Sequence, residues 1–272
     1  MGYLTTEKKK VTVKTFVEMK RDGNKIAMLT AYDYTTARLI DEAGVDSILV
    51  GDSASNVMQG NDSTLPVTLD EMIVYARGVA RGCQRALVVC DMPFGSYQVS
   101  PEEGVRNAVR LIRETGVDAV KLEGGEEVAP TIERMVNAGT PVVGHLGLTP
   151  QSIHKFGGYG VRARSEVEAT KLIADAQALE KAGCFAVVLE KIPASVAQQV
   201  TDLLSVPTIG IGAGSHCDGQ VLVYADAMGL TQGFEPKFLR EFAAMGEELR
   251  RGVRAYCEAV KGDEFPNESE SY

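Results

Sequence analysis

Apolar positions along this chain fall into short, unbroken runs, and each run stops at a polar or ionisable residue. Ile48-Leu49-Val50 passes through Gly51 into Asp52 and Ser53, and Ala86-Leu87-Val88-Val89-Cys90 stops at Asp91. Ala119-Val120 leads into Lys121 and Glu123, and Val142-Val143-Gly144 ends at His145. Ala186-Val187-Val188-Leu189 ends at Glu190, and Thr208-Ile209-Gly210-Ile211 enters Gly212-Ala213-Gly214-Ser215-His216. Runs rich in β-branched residues and lacking polar alternation suit strands covered on both faces, as parallel strands are. Residues 26–30 predict a further strand at the start, and 220–224, ending near Asp226, predict a weaker eighth.

Helical spacing separates the runs. Residues 12–22 predict a short opening helix with Val13, Phe16, Val17 and Met19 on one face, suited to capping one end of a barrel. A second helix runs through Glu42 and is ended by Gly44. Thr68 and Glu71 form a capping box for a helix over 69–82. Ser100-Pro101-Glu102-Glu103 opens another, with an N-cap, a proline in the first turn and two acids, and Gly116 stops it. Further helices are expected over 126–138, 165–182 and 193–204, and a long amphipathic one from Pro236 to Val260. The connection from Ser53 to Pro66 exceeds ordinary loop lengths, which suggests a lid or binding loop.

Eight strands alternating with helices favour one α/β domain, a (β/α)8 TIM barrel over residues 1–272, with loose termini at 1–10 and 263–272. An open doubly wound sheet is the runner-up, but no dinucleotide-type glycine fingerprint follows the first strand.

Composition narrows the function classes. The chain has 272 residues, 44% of them hydrophobic and 24% charged, as in ordinary globular proteins. Its net charge of -9 argues against a broad nucleic-acid face. Lys8-Lys9-Lys10 is read as a solvated run. The five cysteines form no CxxC pair and suit free thiols in a reducing cytoplasm. Most fit as small core residues, and Cys217, near the candidate site, fits packing better than nucleophilic work. The first residues lack the apolar segment of a signal peptide, and no apolar run approaches the ~18 residues that span a bilayer.

In a (β/α)8 barrel the strand ends converge on one mouth, where Asp52, Asp91, Lys121, Glu123, His145 and Glu190 would meet. Acids without a cysteine cluster suggest a hard cation with oxygen ligands, and Mg²⁺ suits one or two carboxylates plus waters and substrate oxygens. A three-histidine zinc site is a poor alternative, because only His145 follows a clean strand. Each group also has an ordinary structural use. A lone Asp after a strand is commonly a cap, Lys121 and Glu123 could form an ion pair, and His145 could be a hydrogen-bonded core residue. Gly210–Gly214 reads either as a phosphate loop or as tight packing. Taken together, the groups point to metal-assisted enolate chemistry on a small oxo acid, with Lys121 near the developing charge and Glu190 as acid/base.

Met28–Asp33, Val50–Ser53, Asp62–Thr68, Asp91–Tyr97, Val120–Gly125, Gly144–Gln151, Ile209–Gly214 and Cys217–Val223 together resemble the ketopantoate hydroxymethyltransferases, over about residues 11–266. The resemblance implies a barrel of the phosphoenolpyruvate/pyruvate superfamily. The implied reaction transfers a one-carbon unit from 5,10-methylenetetrahydrofolate to 3-methyl-2-oxobutanoate, giving 2-dehydropantoate on the route to pantothenate and coenzyme A. It also implies Mg²⁺ on Asp52 and Asp91, with Glu123 in the metal site directly or through water. Asp52, Ser53, Asp91 and Lys121 would surround the oxo acid, His145 would lie near its carboxylate, and Glu190 would accept the proton. A cytoplasmic homodecamer of two pentameric rings is the implied assembly. Gln59 and Asn61 stand where the family is commonly more apolar or aromatic, and Gly160 replaces a usual Lys, both in loops. The rivals are another enolate enzyme of the superfamily, or a barrel that only binds a small acid.

Overall fold

The structure is a computed structural model that describes residues 9–231, 233 and 235–272. Residues 1–8, on which the reading of a leaderless N-terminus and part of the basic run rest, lie outside the described residues. Eight parallel strands close into a barrel in sequence order, and β8 pairs back to β1. They are β1 (Ile26–Thr30), β2 (Ser47–Val50), β3 (Leu87–Asp91), β4 (Ala119–Glu123), β5 (Val142–Gly147), β6 (Ala186–Glu190), β7 (Thr208–Ile211) and β8 (Gly219–Leu222).

The unalternating apolar runs follow from what covers each face. Successive side chains of a strand point to opposite sides. Leu87 and Val89 of β3, Ala119 of β4, Val143 of β5, and Ala186 and Val188 of β6 share one central cluster with Leu49, Ile209 and Val221. The residues between them pack outwards; a side chain at Gly144, for example, would strike Leu179 at 2.6 Å. Both sets are apolar, so the period of two shows only at the strand ends. There the inward series continues into Asp91, Lys121 and Glu123, His145, and Glu190, a polar layer above an apolar one.

The outer elements in the Met1–Leu222 unit are α1 (Val13–Arg21), α2 (Tyr34–Ala43), α3 (Ala54–Val57), α4 (Leu69–Gly82), α5 (Pro101–Thr115), α6 (Ala129–Asn137), α7 (Ile153–Phe156), α8 (Glu166–Lys181) and α9 (Ala194–Leu203). Their starts follow the sequence signals. Thr68 and Glu71 exchange both bonds of a capping box, Ser100 accepts from Glu103 N, and Gly44 and Gly116 end α2 and α5 in left-handed conformation. Each such side-chain N-cap contributes about 0.5–2 kcal/mol. Phe16 of α1, only 1% exposed, sits in the barrel cluster and meets Phe185 edge-on at 5.8 Å. Phe185 precedes β6, so α1 plugs the end where the strands begin.

Several expectations need correction. Lys10 of the basic run is not a solvated tail residue: its Nζ donates to Ala86 O at 2.7 Å and to Asp118 Oδ2 at 2.8 Å. The connection after Ser53 opens with α3. Strand eight ends at Leu222 rather than Tyr224. No helix separates β7 from β8; the chain returns through 212–218, so this one step departs from the strand–helix repeat.

Val223–Tyr272 forms a second compact unit. It contains α10 (Tyr224–Ala227) and α11 (Met245–Lys261). The long helix begins at Met245 rather than after Pro236, because nearby amides are used elsewhere. Phe242 N donates to Ala227 O, Met245 N to Met228 O and Gly246 N to Gly229 O. Met245, Leu249, Val253, Tyr256 and Val260 form an exposed apolar stripe along α11. Tyr256 meets Phe265 at 5.9 Å, and Asn267 caps a 3₁₀ turn over Glu268–Glu270 in the segment expected to be loose. Among the described residues, no helix is long and apolar enough to cross a membrane.

Candidate active site

Strand register places the candidate groups side by side. Asp91 is aligned with Lys121, Glu123 with His145, and Gly147 with Glu190. From there a continuous run of contacts crosses the mouth. Asp52 N donates to Asp91 Oδ2 at 2.9 Å, and Asp91 Oδ1 lies 3.0 Å from Lys121 Nζ. Lys121 Nζ is 3.1 Å from His145 Nδ1, which is also 3.2 Å from Glu123 Oε1. On the other side of the ring, His145 Nε2 is 3.3 Å from Glu190 Oε2. Ser53 follows Asp52 in the chain, and its Oγ is 2.7 Å from the Tyr32 hydroxyl. Six of the seven residues nominated from the sequence are therefore in one cluster, and Ser53 adjoins it through Asp52.

The turn that presents Asp52 and Ser53 depends on Gly51. A side chain there would meet Ser53 Oγ at 2.6 Å, so glycine makes room for the hydroxyl. Ala54 N and Ser55 N then donate to Gly51 O and Asp52 O, turning the chain directly into α3. Asn61 Nδ2 donates to Gln59 Oε1 at 3.0 Å and to Ser55 Oγ at 3.1 Å. These bonds brace their own loop.

Burial makes the electrostatics strong. The Asp52 carboxyl is held well above the usual carboxylate range, first by desolvation and then by repulsion from Asp91 and Glu123; Lys121 and a Gln151 amide bond act the other way. Burial also raises Asp91, against the opposing pull of Lys121 and the Asp52 amide. Burial would strip the proton from Lys121, but attraction to Asp91, Glu123 and Asp52 outweighs it and its pKa is raised. His145 is pushed up to about 9: burial and the Lys121 charge oppose this, and Glu123 and Glu190 prevail.

Four carboxylates thus face one ammonium and one imidazole, leaving room for more positive charge. Asp91 Oδ1, although within ion-pair distance of Lys121, receives no donor at a hydrogen-bonding angle. A buried acceptor in that condition, among acids that repel one another, fits a cation. Among the described residues no three His, Cys, Asp or Glu side chains converge as a ready ligand cage. The expected set of Asp52, Asp91 and Glu123 is therefore not gathered as one. Asp52 and Asp91 are the fitting pair. Both Glu123 oxygens are engaged, one accepting from Gln151 N at 2.9 Å and one facing His145.

Other readings from the sequence resolve differently. Gly212–Gly214 is not followed by a helix that could cradle phosphate; Gly214 packs where a Cβ would meet Ala194 at 2.6 Å. Cys217 is buried just before β8, at the end where the strands begin, and burial raises its thiol pKa. Gln151 and Tyr97 end two of the motifs and carry no chemical signature of their own in the sequence, yet both are buried against this cluster. A cavity of about 500 Å³ beside the mouth is lined by Gly124, Gly147, Phe156, Arg162, Val167 and Lys171, and shares none of the clustered ionisable groups.

Comparison with known proteins gives a consistent picture. A sequence model of the family described as ketopantoate hydroxymethyltransferase matches residues 10–268. A 3-methyl-2-oxobutanoate hydroxymethyltransferase of Flavobacterium johnsoniae is 58% identical over 97% of this chain and 97% of its own. One of Bacteroides thetaiotaomicron is 56% identical over 100% of this chain and 99% of its own. Among solved structures, a phosphonopyruvate hydrolase complexed with oxalate and Mg²⁺ superposes with a TM-score of 0.61 at 11% identity, covering 95% of this chain and 92% of that one. A 2,3-dimethylmalate lyase, described as a PEP mutase/isocitrate lyase superfamily member, gives 0.58 at 17% identity, covering 96% and 91%. At such identities these structures establish the shared barrel alone.

Proposed function

The chain belongs to the ketopantoate hydroxymethyltransferase family, and from that premise we propose how its mouth carries out hydroxymethyl transfer to 3-methyl-2-oxobutanoate. The donor is 5,10-methylenetetrahydrofolate and the products are 2-dehydropantoate and tetrahydrofolate. The donor carbon arrives bonded to nitrogen and leaves as CH₂OH, so one water is consumed.

The observation that carries the assignment is the unbroken run of contacts from Asp91 through Lys121 and His145 to Glu190. Asp52 and Asp91 would hold a magnesium ion, with Glu123 beside it directly or through water; bound there, it supplies positive charge to the oxygens of the oxo acid. Lys121, kept protonated by its acids, adds a fixed charge where an enolate oxygen would develop. Ser53, fixed by Tyr32, offers a hydroxyl to the oxo acid. His145 carries charge near the substrate carboxylate and steadies Glu190. Glu190 is the most accessible acid of the run, its side chain 18% exposed against 3% for Asp91 and 4% for Glu123. It can therefore meet the substrate and take the C3 proton, leaving an electron pair to form the new carbon–carbon bond.

NMR of 3-methyl-2-oxobutanoate in D₂O tests this. With protein and Mg²⁺ present, the C3 proton should exchange for deuterium even without folate. Exchange no faster than in buffer would refute the assignment. The protein acts as a homo-oligomer, with a decamer as the specific expectation; the exposed stripe on α11 is the apolar face that a second copy would cover. A native mass equal to one chain would refute that.

A further inference from the structure

Gln151 lies in the 3₁₀ turn Pro150–Ser152 after β5 and is 6% exposed. Its amide makes four hydrogen bonds. Nε2 donates to Asp52 Oδ2 at 2.9 Å and to Met92 O at 3.0 Å. Oε1 accepts from Tyr97 Oη at 2.8 Å and from Gln98 Nε2 at 3.0 Å. Two donors and two acceptors use the capacity of a carboxamide as this geometry allows. Reversing the amide would put its NH₂ against another NH₂ and its oxygen against a carboxylate, so the orientation is fixed. The backbone extends the device, because Gln151 N donates to Glu123 Oε2 at 2.9 Å. Tyr97 Oη closes it by accepting from Glu123 N at 3.0 Å. One residue thereby ties the acids at the ends of β2 and β4, which are not neighbours in the barrel.

We propose that Gln151 is a positioning residue that, oriented by Tyr97, sets the directions of the Asp52 and Glu123 carboxylates for a divalent cation. This rests on the metal reading above. The amide engages Asp52 Oδ2 and leaves Oδ1 as the oxygen it does not hold. It also contributes no charge, so it aligns an acid without competing for the cation as another lysine would. Groups that orient ligands in this way typically change metal affinity or activity 10–100-fold when removed.

The test is Mn²⁺ binding to full-length protein, read from the EPR signal of the free ion and thus independent of turnover. Gln151→Met keeps the length of the side chain and removes its donors and acceptor. Folded Gln151→Met should bind Mn²⁺ about 10–100-fold more weakly than wild type, and saturating Mg²⁺ should recover most of its kcat. A Mn²⁺ titration superimposable on wild type overturns the proposal. Tyr97→Phe, which removes one hydroxyl and retains the ring, should weaken binding in the same direction; unchanged affinity there also overturns it, and this variant decides if Gln151→Met fails to fold. Failure of wild type itself to bind Mn²⁺ would instead sink the metal reading, and this proposal with it.

Discussion

Replacing Lys121 with methionine removes the cation on which three buried acids lean while preserving most of the apolar stem. In the wild type, Nζ lies 3.0 Å from Asp91 Oδ1, with 4% and 3% of the two side chains exposed. At an effective dielectric of about 20, that separation corresponds to a gross attraction of about 5 kcal/mol. Part of this merely offsets the desolvation of both charges, but the variant leaves Asp91 buried and unpaired, for which the net loss is about 3–5 kcal/mol. For a chain of this size each kcal/mol lowers Tm by about 2 °C, so the expected drop is about 6–10 °C near pH 8. The loss should depend on pH. Without Lys121, burial and then Glu123 leave the Asp91 pKa further raised, with only the Asp52 amide still opposing them. A carboxyl whose folded value exceeds its unfolded value contributes stability below the unfolded value and loses it as pH rises through the folded one. Lys121→Met should therefore lie closest to wild type at pH 5 and furthest from it at pH 8. Thermal unfolding in chelator, followed by circular dichroism at both pH values, measures this. A drop under about 2 °C at pH 8, or the same drop at pH 5, would refute the account of Lys121 as a buried counter-charge.

Three further outcomes are expected. Glu190→Gln should fold normally and lose C3–deuterium exchange by about 10²-fold or more; wild-type exchange would remove Glu190 as the base. Gly51→Ala should displace Ser53 Oγ from Tyr32 and raise KM for the oxo acid about tenfold through one lost hydrogen bond, with Tm little changed; an unaltered KM would show that Ser53 does not hold substrate. In native protein, a disulfide reagent should modify at most one thiol rapidly, exposed Cys257. Burial pushes Cys83 and Cys184 up to about 12 and raises Cys90 and Cys217, so a second fast thiol would contradict their placement.

Much of this architecture was legible because local rules coincide with it. Thr68 with Glu71, Ser100 with Pro101, and Gly44 each act through neighbours a few positions away, so the chain displays them directly. The strand ends were legible because burial on two faces keeps runs such as Leu87–Cys90 and Ala186–Leu189 apolar until the mouth. What escaped depends on partners distant in sequence. Lys10 is fixed by Asp118, 108 positions away, and Gln151 by Asp52, 99 positions away. No spacing rule links such pairs. The start of α11 was misplaced because helical periodicity does not record that Phe242, Met245 and Gly246 give their amides to α10 and the residues just after it.

The inward series on β4, Ala119 followed by Lys121 and Glu123, has a consequence for how this chain can vary. Because the side-chain period is two, deleting a single residue upstream in the strand would rotate both ionisable groups together towards the apolar helices and bring Val120 and Leu122 to the mouth. Asp91 would lose Lys121, and His145 would lose Glu123, in the same event. Substitution can wear such a site away one group at a time, whereas a frame slip removes its charges jointly. Length changes in the strands should therefore be lethal to function and folding alike, and a lineage altering this chain by insertion is confined to the loops between them.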